Sequence, residues 1–224
     1  PAADVVAPAL LMLLAVYALA SLLNVGIPDS GARYAARAIH PRALLGDFVS
    51  ANRTLWRDPL GGVSLAATTV FWGVGATLQF AVLHWAQDRL GMPLHQAAGL
   101  QAAVAIGVVL GAAAAGRWVP LARAREMLPF GVALGLMLPL LACTRSLWLA
   151  LPLLLAAGAL GGLMVVPLNA LLQHRGCVLL SAGRSIAVQG CNENASILAM
   201  LAGYALLIAL ELPIVTLLSG FGLA

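Results

Sequence analysis

Glu193 is the residue of this chain whose type and position most clearly indicate a chemical role. It is the one acidic residue in the long apolar stretch 185–210. A helix brings side chains three or four residues apart onto one face, and the polar residues here follow that spacing: Ser185, Gln189, Glu193 and Ser196, flanked by Asn192 and Asn194. A carboxylate inside a bilayer needs a partner or a cavity. The stripe therefore predicts either a site that meets a polar substrate, or a structural carboxyl tied to a neighbouring helix.

Two other apolar stretches also carry polar residues on one helical face. In 60–87 these are Thr68 and Gln79, together with Trp72, and in 146–174 the candidate is Asn169. We expect Pro167 to interrupt the helix that holds Asn169, as in the broken helices that line transport pathways. Single amides in spans also form simple hydrogen bonds between helices, so both interpretations stay open.

The elements that must position these residues are membrane spans. The chain is 62% hydrophobic and 9% charged, whereas a soluble domain carries about 25% charged residues. Six stretches are long enough for the roughly 20 residues that a transmembrane helix needs, at 5–27, 60–87, 90–116, 127–144, 146–174 and 185–210. The sequence therefore predicts an all-α, polytopic membrane protein, with a seventh span that begins at Leu212 and that we expect to continue beyond residue 224.

The positive charges indicate the orientation of these spans. The sequence has twelve arginines and no lysine, and ten of the arginines lie in alternate connections, at 28–59, 117–126 and 175–184. Arginine-rich connections stay on the cytoplasmic side, which predicts that these three are cytoplasmic. The long connection 28–59 has room for an interfacial helix over 43–56 and resembles the link between the halves of a secondary transporter.

Signatures of other function classes are absent from the sequence. There is no Gly-x-Ser-x-Gly, no His-Glu-x-x-His and no phosphate-binding glycine loop, which are common marks of hydrolases, zinc proteases and nucleotide-binding proteins. Cys143, Cys177 and Cys191 lack the spacing of a metal site. The net charge of +4 follows from the arginine bias of the loops. We therefore expect no enzyme activity, cofactor, metal ion or nucleic-acid partner.

Three segments resemble the lysophospholipid transporter family of the major facilitator superfamily. They are FWGVGATLQF at 71–80, GGLMVVPLNALLQHRG at 161–176 and AGRSIAVQGCNENASIL at 182–198. The resemblance runs from the sixth span of that twelve-span fold to the start of the twelfth. It implies that 1–27 is the last span of the N-terminal half, 28–59 the cytoplasmic inter-half loop, and 60–224 the C-terminal bundle.

The resemblance also implies an activity and a set of site residues. Members move lysophospholipids such as lysophosphatidylethanolamine from the outer to the inner leaflet of the bacterial inner membrane, where an acyltransferase/acyl-carrier-protein synthetase re-acylates them. The family's buried glutamate corresponds to Glu193, and its amide motif to Gln189 and Asn194. We expect arginine in the family at the position of Gln79. A glutamine there forms hydrogen bonds but cannot form an ion pair with an acid or a phosphate.

From these residues we expect a polar stripe of Glu193, Gln189, Asn169 and Gln79 that faces the cavity between two transporter halves. Two alternative functions are also compatible with these residues. One is a proton-coupled drug or metabolite exporter of the same superfamily, with Glu193 as the protonation site. The other is a membrane module that anchors an acyltransferase and transports nothing.

The arginine distribution makes a direct topological prediction. In a background without the native cysteines, single cysteines near Arg89 and Arg145 should react with an impermeant maleimide in intact cells. Cysteines placed in 117–126 should react only after permeabilisation. The reverse labelling pattern would show that the predicted orientation of the spans is inverted.

Overall fold

The part of the protein that the computed structural model describes, residues 2–28, 31 and 40–223, consists of helices joined by short turns and loops. Its α-helices are α1 (Ala2–Val25), α2 (Pro41–Arg57), α3 (Pro59–Leu90), α4 (Leu94–Trp118), α5 (Leu128–Cys143), α6 (Leu147–Leu179), α7 (Ala182–Ala209) and α8 (Ile214–Leu223), and a 3-10 helix, Leu121–Met127, precedes α5. By length and composition, six helical segments are able to cross a membrane. The prediction of an all-α, multi-pass membrane protein is confirmed.

The chain divides into two compact units, 1–40 and 41–224. The first contains α1, a 24-residue apolar helix. The second contains α2 to α8. A helix is present where one was predicted over 43–56: this is α2, which packs against α3, α6 and α7. Arg33 and Arg37 lie outside the described residues.

Two sequence-based predictions about helix boundaries are wrong. Residues 175–184 do not form a loop, because α6 continues to Leu179 and α7 begins at Ala182. Arginine is a good helix former, so a charge that ends an apolar run need not end a helix. Pro167 does not interrupt α6, which runs unbroken past it. A spanning helix tolerates proline where its neighbours stabilise the freed backbone groups.

The most extensive helix contact among the described residues of the second unit joins α4 to α6. Glycines of both helices lie at this contact: Gly107, Gly111, Gly158 and Gly162. A Cβ atom added to Gly111 would lie 2.1 Å from the carbonyl oxygen of Ala159, and one added to Gly158 would lie 2.1 Å from that of Val104. The two backbones therefore touch, and only glycine fits between them. These small residues serve packing, as small residues at helix contacts in membrane proteins commonly do.

Ion pairs and caps join the helix ends at the arginine-rich end of the second unit. Asp58 caps α3, accepting a hydrogen bond of 2.7 Å from the amide of Gly61. Arg175, on α6, donates to both carboxylate oxygens of Asp58, with 2.9 Å from Nε to Oδ2. This hydrogen bond lowers the pKa of Asp58. Arg184, on α7, donates to Asp47 of α2 at 3.1 Å.

Gly111→Ala should destabilise the bundle, because the new Cβ atom meets backbone that has to move. Overpacking of this kind costs about 1–3 kcal/mol. The melting temperature in detergent should fall for Gly111→Ala and should be unchanged or higher for Gly116→Ala, the matched control on the same helix, where a Cβ atom meets nothing within 4 Å. Equal effects of the two variants would contradict the close contact.

Asp58→Asn should lower the melting temperature at pH 7, because asparagine still caps α3 but loses the charge that pairs with Arg175. The carboxyl's pKa is lowered from its ordinary 3.8 in the folded protein. Its contribution is therefore complete above that value and is lost as the pH falls through the lower folded pKa. The difference between variant and parent should shrink below about pH 4. A gap that is independent of pH would argue against the ion pair as its cause.

Candidate functional site

Three polar side chains meet between α6 and α7, and we call them the Glu193 cluster: Asn169, Gln189 and Glu193. The side-chain amide of Gln189 donates from Nε2 to Oδ1 of Asn169 at 2.8 Å and to Oε1 of Glu193 at 2.9 Å. All three residues are half-buried. The sequence placed Gln189 and Glu193 on one face and expected Asn169 in the same polar stripe, and the structure brings these three side chains together.

The hydrogen-bond directions define what this cluster offers to a ligand. Gln189 uses its NH₂ group on its two neighbours, which orients the Glu193 carboxylate. An ionised carboxylate accepts about four hydrogen bonds, so the bond from Gln189 leaves Glu193 with further acceptor capacity. The cluster therefore presents a fixed, electron-rich group that suits an ammonium or another hydrogen-bond donor.

The remaining polar residues of the α7 stripe have other roles. Asn194 is exposed and donates to the carbonyl of Gly190 in its own helix, at 2.7 Å. Ser185 is buried against Gly176 of α6, and Ser196 contacts Gly73 of α3. These two serines lie where helices approach closely, so they belong to packing contacts outside the cluster.

Asn192 connects α7 to α2, a contact that the sequence did not predict. Its Nδ2 donates to Oδ1 of Asn52 at 2.9 Å and to the carbonyl of Val188 at 2.8 Å. Nε1 of Trp56 donates to Oδ1 of Asn192 at 3.2 Å. Asn192 immediately precedes Glu193, so α2 is fixed one residue from the carboxylate. The only sequence signal was an asparagine and a tryptophan four residues apart on the predicted interfacial helix.

Trp72 and Gln79 line a separate cavity of about 1030 Å³. Its walls come from α3 to α8 and are mostly apolar, and Gln79 and Gln101 are the amide side chains among the described lining residues. Gln101 donates from Nε2 to the backbone carbonyl of Gln79 at 3.0 Å. The Glu193 cluster does not line this cavity. The residues predicted as one stripe therefore lie in two places.

Thr68 belongs to neither place. Its side chain is 1% exposed, and Oγ1 donates to the carbonyl of Leu65 in the same helix at 3.3 Å. Helical spacing correctly put it on the same helix as Trp72 and Gln79, but the adjacent helices cover it. A structural role in α3 accounts for its contacts.

Comparison with known proteins identifies close relatives. The lysophospholipid transporter LplT of Yersinia pestis (strain Pestoides F) is 43% identical over 201 residues, covering 89% of this chain and 50% of the relative. The transporters of the same name from Yersinia pseudotuberculosis serotype O:3 (strain YPIII) and serotype I (strain IP32953) match equally, at 43% identity over 201 residues with the same coverage. The chain spans about half the length of the curated relatives it matches. No protein-family model and no solved structure matches it.

Proposed function

We propose, since the chain belongs to the lysophospholipid transporter family, that it forms the C-terminal half of a transporter of the major facilitator superfamily. In this proposal, 1–27 is the last span of the N-terminal half, 28–59 the cytoplasmic connection and 60–224 the C-terminal bundle. The complete protein moves lysophospholipids from the outer to the inner leaflet of the bacterial inner membrane.

The observation that carries the proposal is the Glu193 cluster. A lysophospholipid has a charged headgroup, which must cross the hydrocarbon layer, and a single acyl chain, which is at home there. The half-buried carboxylate of Glu193, oriented by Gln189, offers an ammonium headgroup a charged partner in place of water. Polar groups in spanning helices face a cavity or a partner, and transporter sites lie between the two halves.

The apolar cavity beside Trp72 and Gln79 supports a lipid as the substrate. Small-molecule sites are mostly apolar cavities of about 300–1,000 Å³ with a few polar groups, and this cavity of about 1030 Å³ lies at the upper end of that range. Its amides, Gln79 and Gln101, suit the glycerol hydroxyl or ester of a lysophospholipid, and its walls suit the acyl chain. Unlike an arginine, Gln79 does not bind phosphate through a full charge.

The proposed direction of transport implies a partner enzyme. Lysophospholipids delivered to the inner leaflet are acceptors for re-acylation, the reaction of an acyltransferase/acyl-carrier-protein synthetase. We also propose that Glu193 forms a closing interaction with the N-terminal half. In this proposal the transporter itself carries out no covalent chemistry.

Glu193→Gln in the full-length protein tests the proposal, because it preserves shape and removes the charge. A charge-assisted contact contributes about 1.5–3 kcal/mol, so lysophosphatidylethanolamine transport in proteoliposomes should fall by about 10-fold or more. Gln79→Ala should have a smaller effect, since a neutral group is lost. Glu126→Gln, the same chemical change at an exposed residue of the 3-10 helix, is the matched control and should transport normally.

Melting temperatures measured in parallel separate function from folding. Normal transport by Glu193→Gln, or a loss of transport that only follows a loss of stability, would make the carboxyl structural. Transport that requires a proton gradient and accepts drug-like substrates in place of lysophospholipids would favour a proton-coupled exporter. No transport by the full-length parent would favour the anchoring module.

A further inference from the structure

Helix α2 has three distinct stripes along its length. One stripe faces the bundle and contains its buried and half-buried residues: Phe48, Ala51, Asn52 and Leu55. Ala51 and Leu55 are 4% and 0% exposed, and they join a small core with residues of α3, α6 and α7. Packing on the bundle thus accounts for this side of α2 and leaves its other sides exposed.

The second stripe of α2 is apolar and exposed. Leu45, Val49 and Trp56 are spaced by four and seven residues, which places them on one helical face. Their exposures are 65%, 56% and 42%. Apolar side chains that the bundle does not cover are typical of a helix that lies in a membrane surface, and tryptophan is enriched at that depth.

The third stripe is basic and lies beside the apolar one. Arg42, Arg53 and Arg57 share a face at spacings of eleven and four residues, and all three are exposed. Arg42 precedes Leu45 by three residues, and Arg53 precedes Trp56 by three, so the stripes are adjacent. Guanidinium groups bind phosphate oxygens through paired hydrogen bonds. An apolar stripe bordered by arginines has the chemistry to bind phosphate groups above hydrocarbon.

The position of α2 in the fold indicates which binding partner its exposed stripes would meet. The Arg184–Asp47 hydrogen bond ties α2 to the first turn of α7. Asp58, which follows α2 directly, is bound by Arg175 near the end of α6. The helix therefore lies at one end of the set of long apolar helices, beside the arginine-bearing ends of α6 and α7, and anionic lipids attract basic segments of this kind.

We propose that the outward face of α2, formed by Leu45, Val49 and Trp56 with Arg42, Arg53 and Arg57, binds the anionic phospholipid surface of the bilayer. The arginines hold the phosphate groups and the apolar stripe enters the acyl region. Because Trp56 and Asn52 also hydrogen-bond Asn192, bound lipid holds α2 against α7. This surface is separate from the Glu193 cluster and from the apolar cavity.

The proposal is tested by lipid retention in the full-length, detergent-purified protein. Native mass spectrometry would count bound phosphatidylglycerol and phosphatidylcholine. Replacing Arg42, Arg53 and Arg57 together by glutamine should weaken phosphatidylglycerol binding at least tenfold and leave phosphatidylcholine binding unchanged. The matched control replaces Arg117, Arg123 and Arg125 by glutamine, which removes the same charge from the arginine-rich side, and should retain phosphatidylglycerol. Unchanged binding by the first variant, or an equal loss in both, would overturn the proposal.

A second measurement does not depend on how the arginine variant folds. A spin label at Val49→Cys, in full-length protein reconstituted with phosphatidylglycerol and otherwise unchanged apart from its native cysteines, should collide with oxygen dissolved in the lipid more than with a water-soluble nickel chelate. A label at exposed Thr54, on another side of α2, should show less preference for oxygen. A Val49 label that is shielded from both reagents would show that another part of the protein covers this face, which would also overturn the proposal.

Discussion

The structure depends on one constraint: inside hydrocarbon, every polar group needs a partner within the protein. In the described residues the backbone meets this constraint within its helices, and several polar side chains meet it in small local groups. Gln189 donates hydrogen bonds to both Asn169 and Glu193. The hydroxyl groups of Thr68 and Thr77 donate hydrogen bonds to backbone carbonyls of their own helix. Glu193 differs from these residues because the hydrogen bond from Gln189 orients its carboxylate and leaves that carboxylate able to accept further hydrogen bonds.

The same constraint explains how the helices are held together. Lipid is as apolar as the helix surfaces, so helices associate through close packing and a few polar contacts. The α4–α6 contact relies on packing, since Gly111 and Gly158 bring backbone against backbone. At the arginine-rich end, where water is available to charges, Asp58 and Arg175 join α3 to α6. Packing thus operates within the spans and ion pairing at their ends.

Much of this architecture can be predicted from the sequence because a helix that crosses a bilayer must be long and apolar. The apolar runs located the spans, and helical spacing put Gln189 and Glu193 on one face. Predictions from the sequence were wrong where contacts with other helices determine the local structure or the burial of a residue. Pro167 stays helical, and Arg175 continues a helix beyond the apolar run. Periodicity also cannot tell which neighbour covers a face, so it grouped buried Thr68 with cavity-lining Gln79, and the predicted stripe joined Gln79 to Glu193.

In the proposed function, the separate positions of the Glu193 cluster and the apolar cavity correspond to the two chemistries of an amphiphile. A headgroup needs oriented polar atoms, and these stand between α6 and α7 in the Glu193 cluster. An acyl chain needs volume and apolar walls, and these stand in the cavity beside Trp72. In a single combined site, the carboxylate would lie among apolar side chains, or the acyl chain of the lipid would lie among amide groups. Each arrangement would cost solvation free energy. Asn192 adds a third connection, because α2 is fixed to α7 next to Glu193. The hydrogen bonds of Asn192 therefore join the helix proposed to bind lipid to α7 at the residue next to the carboxylate proposed to meet the headgroup.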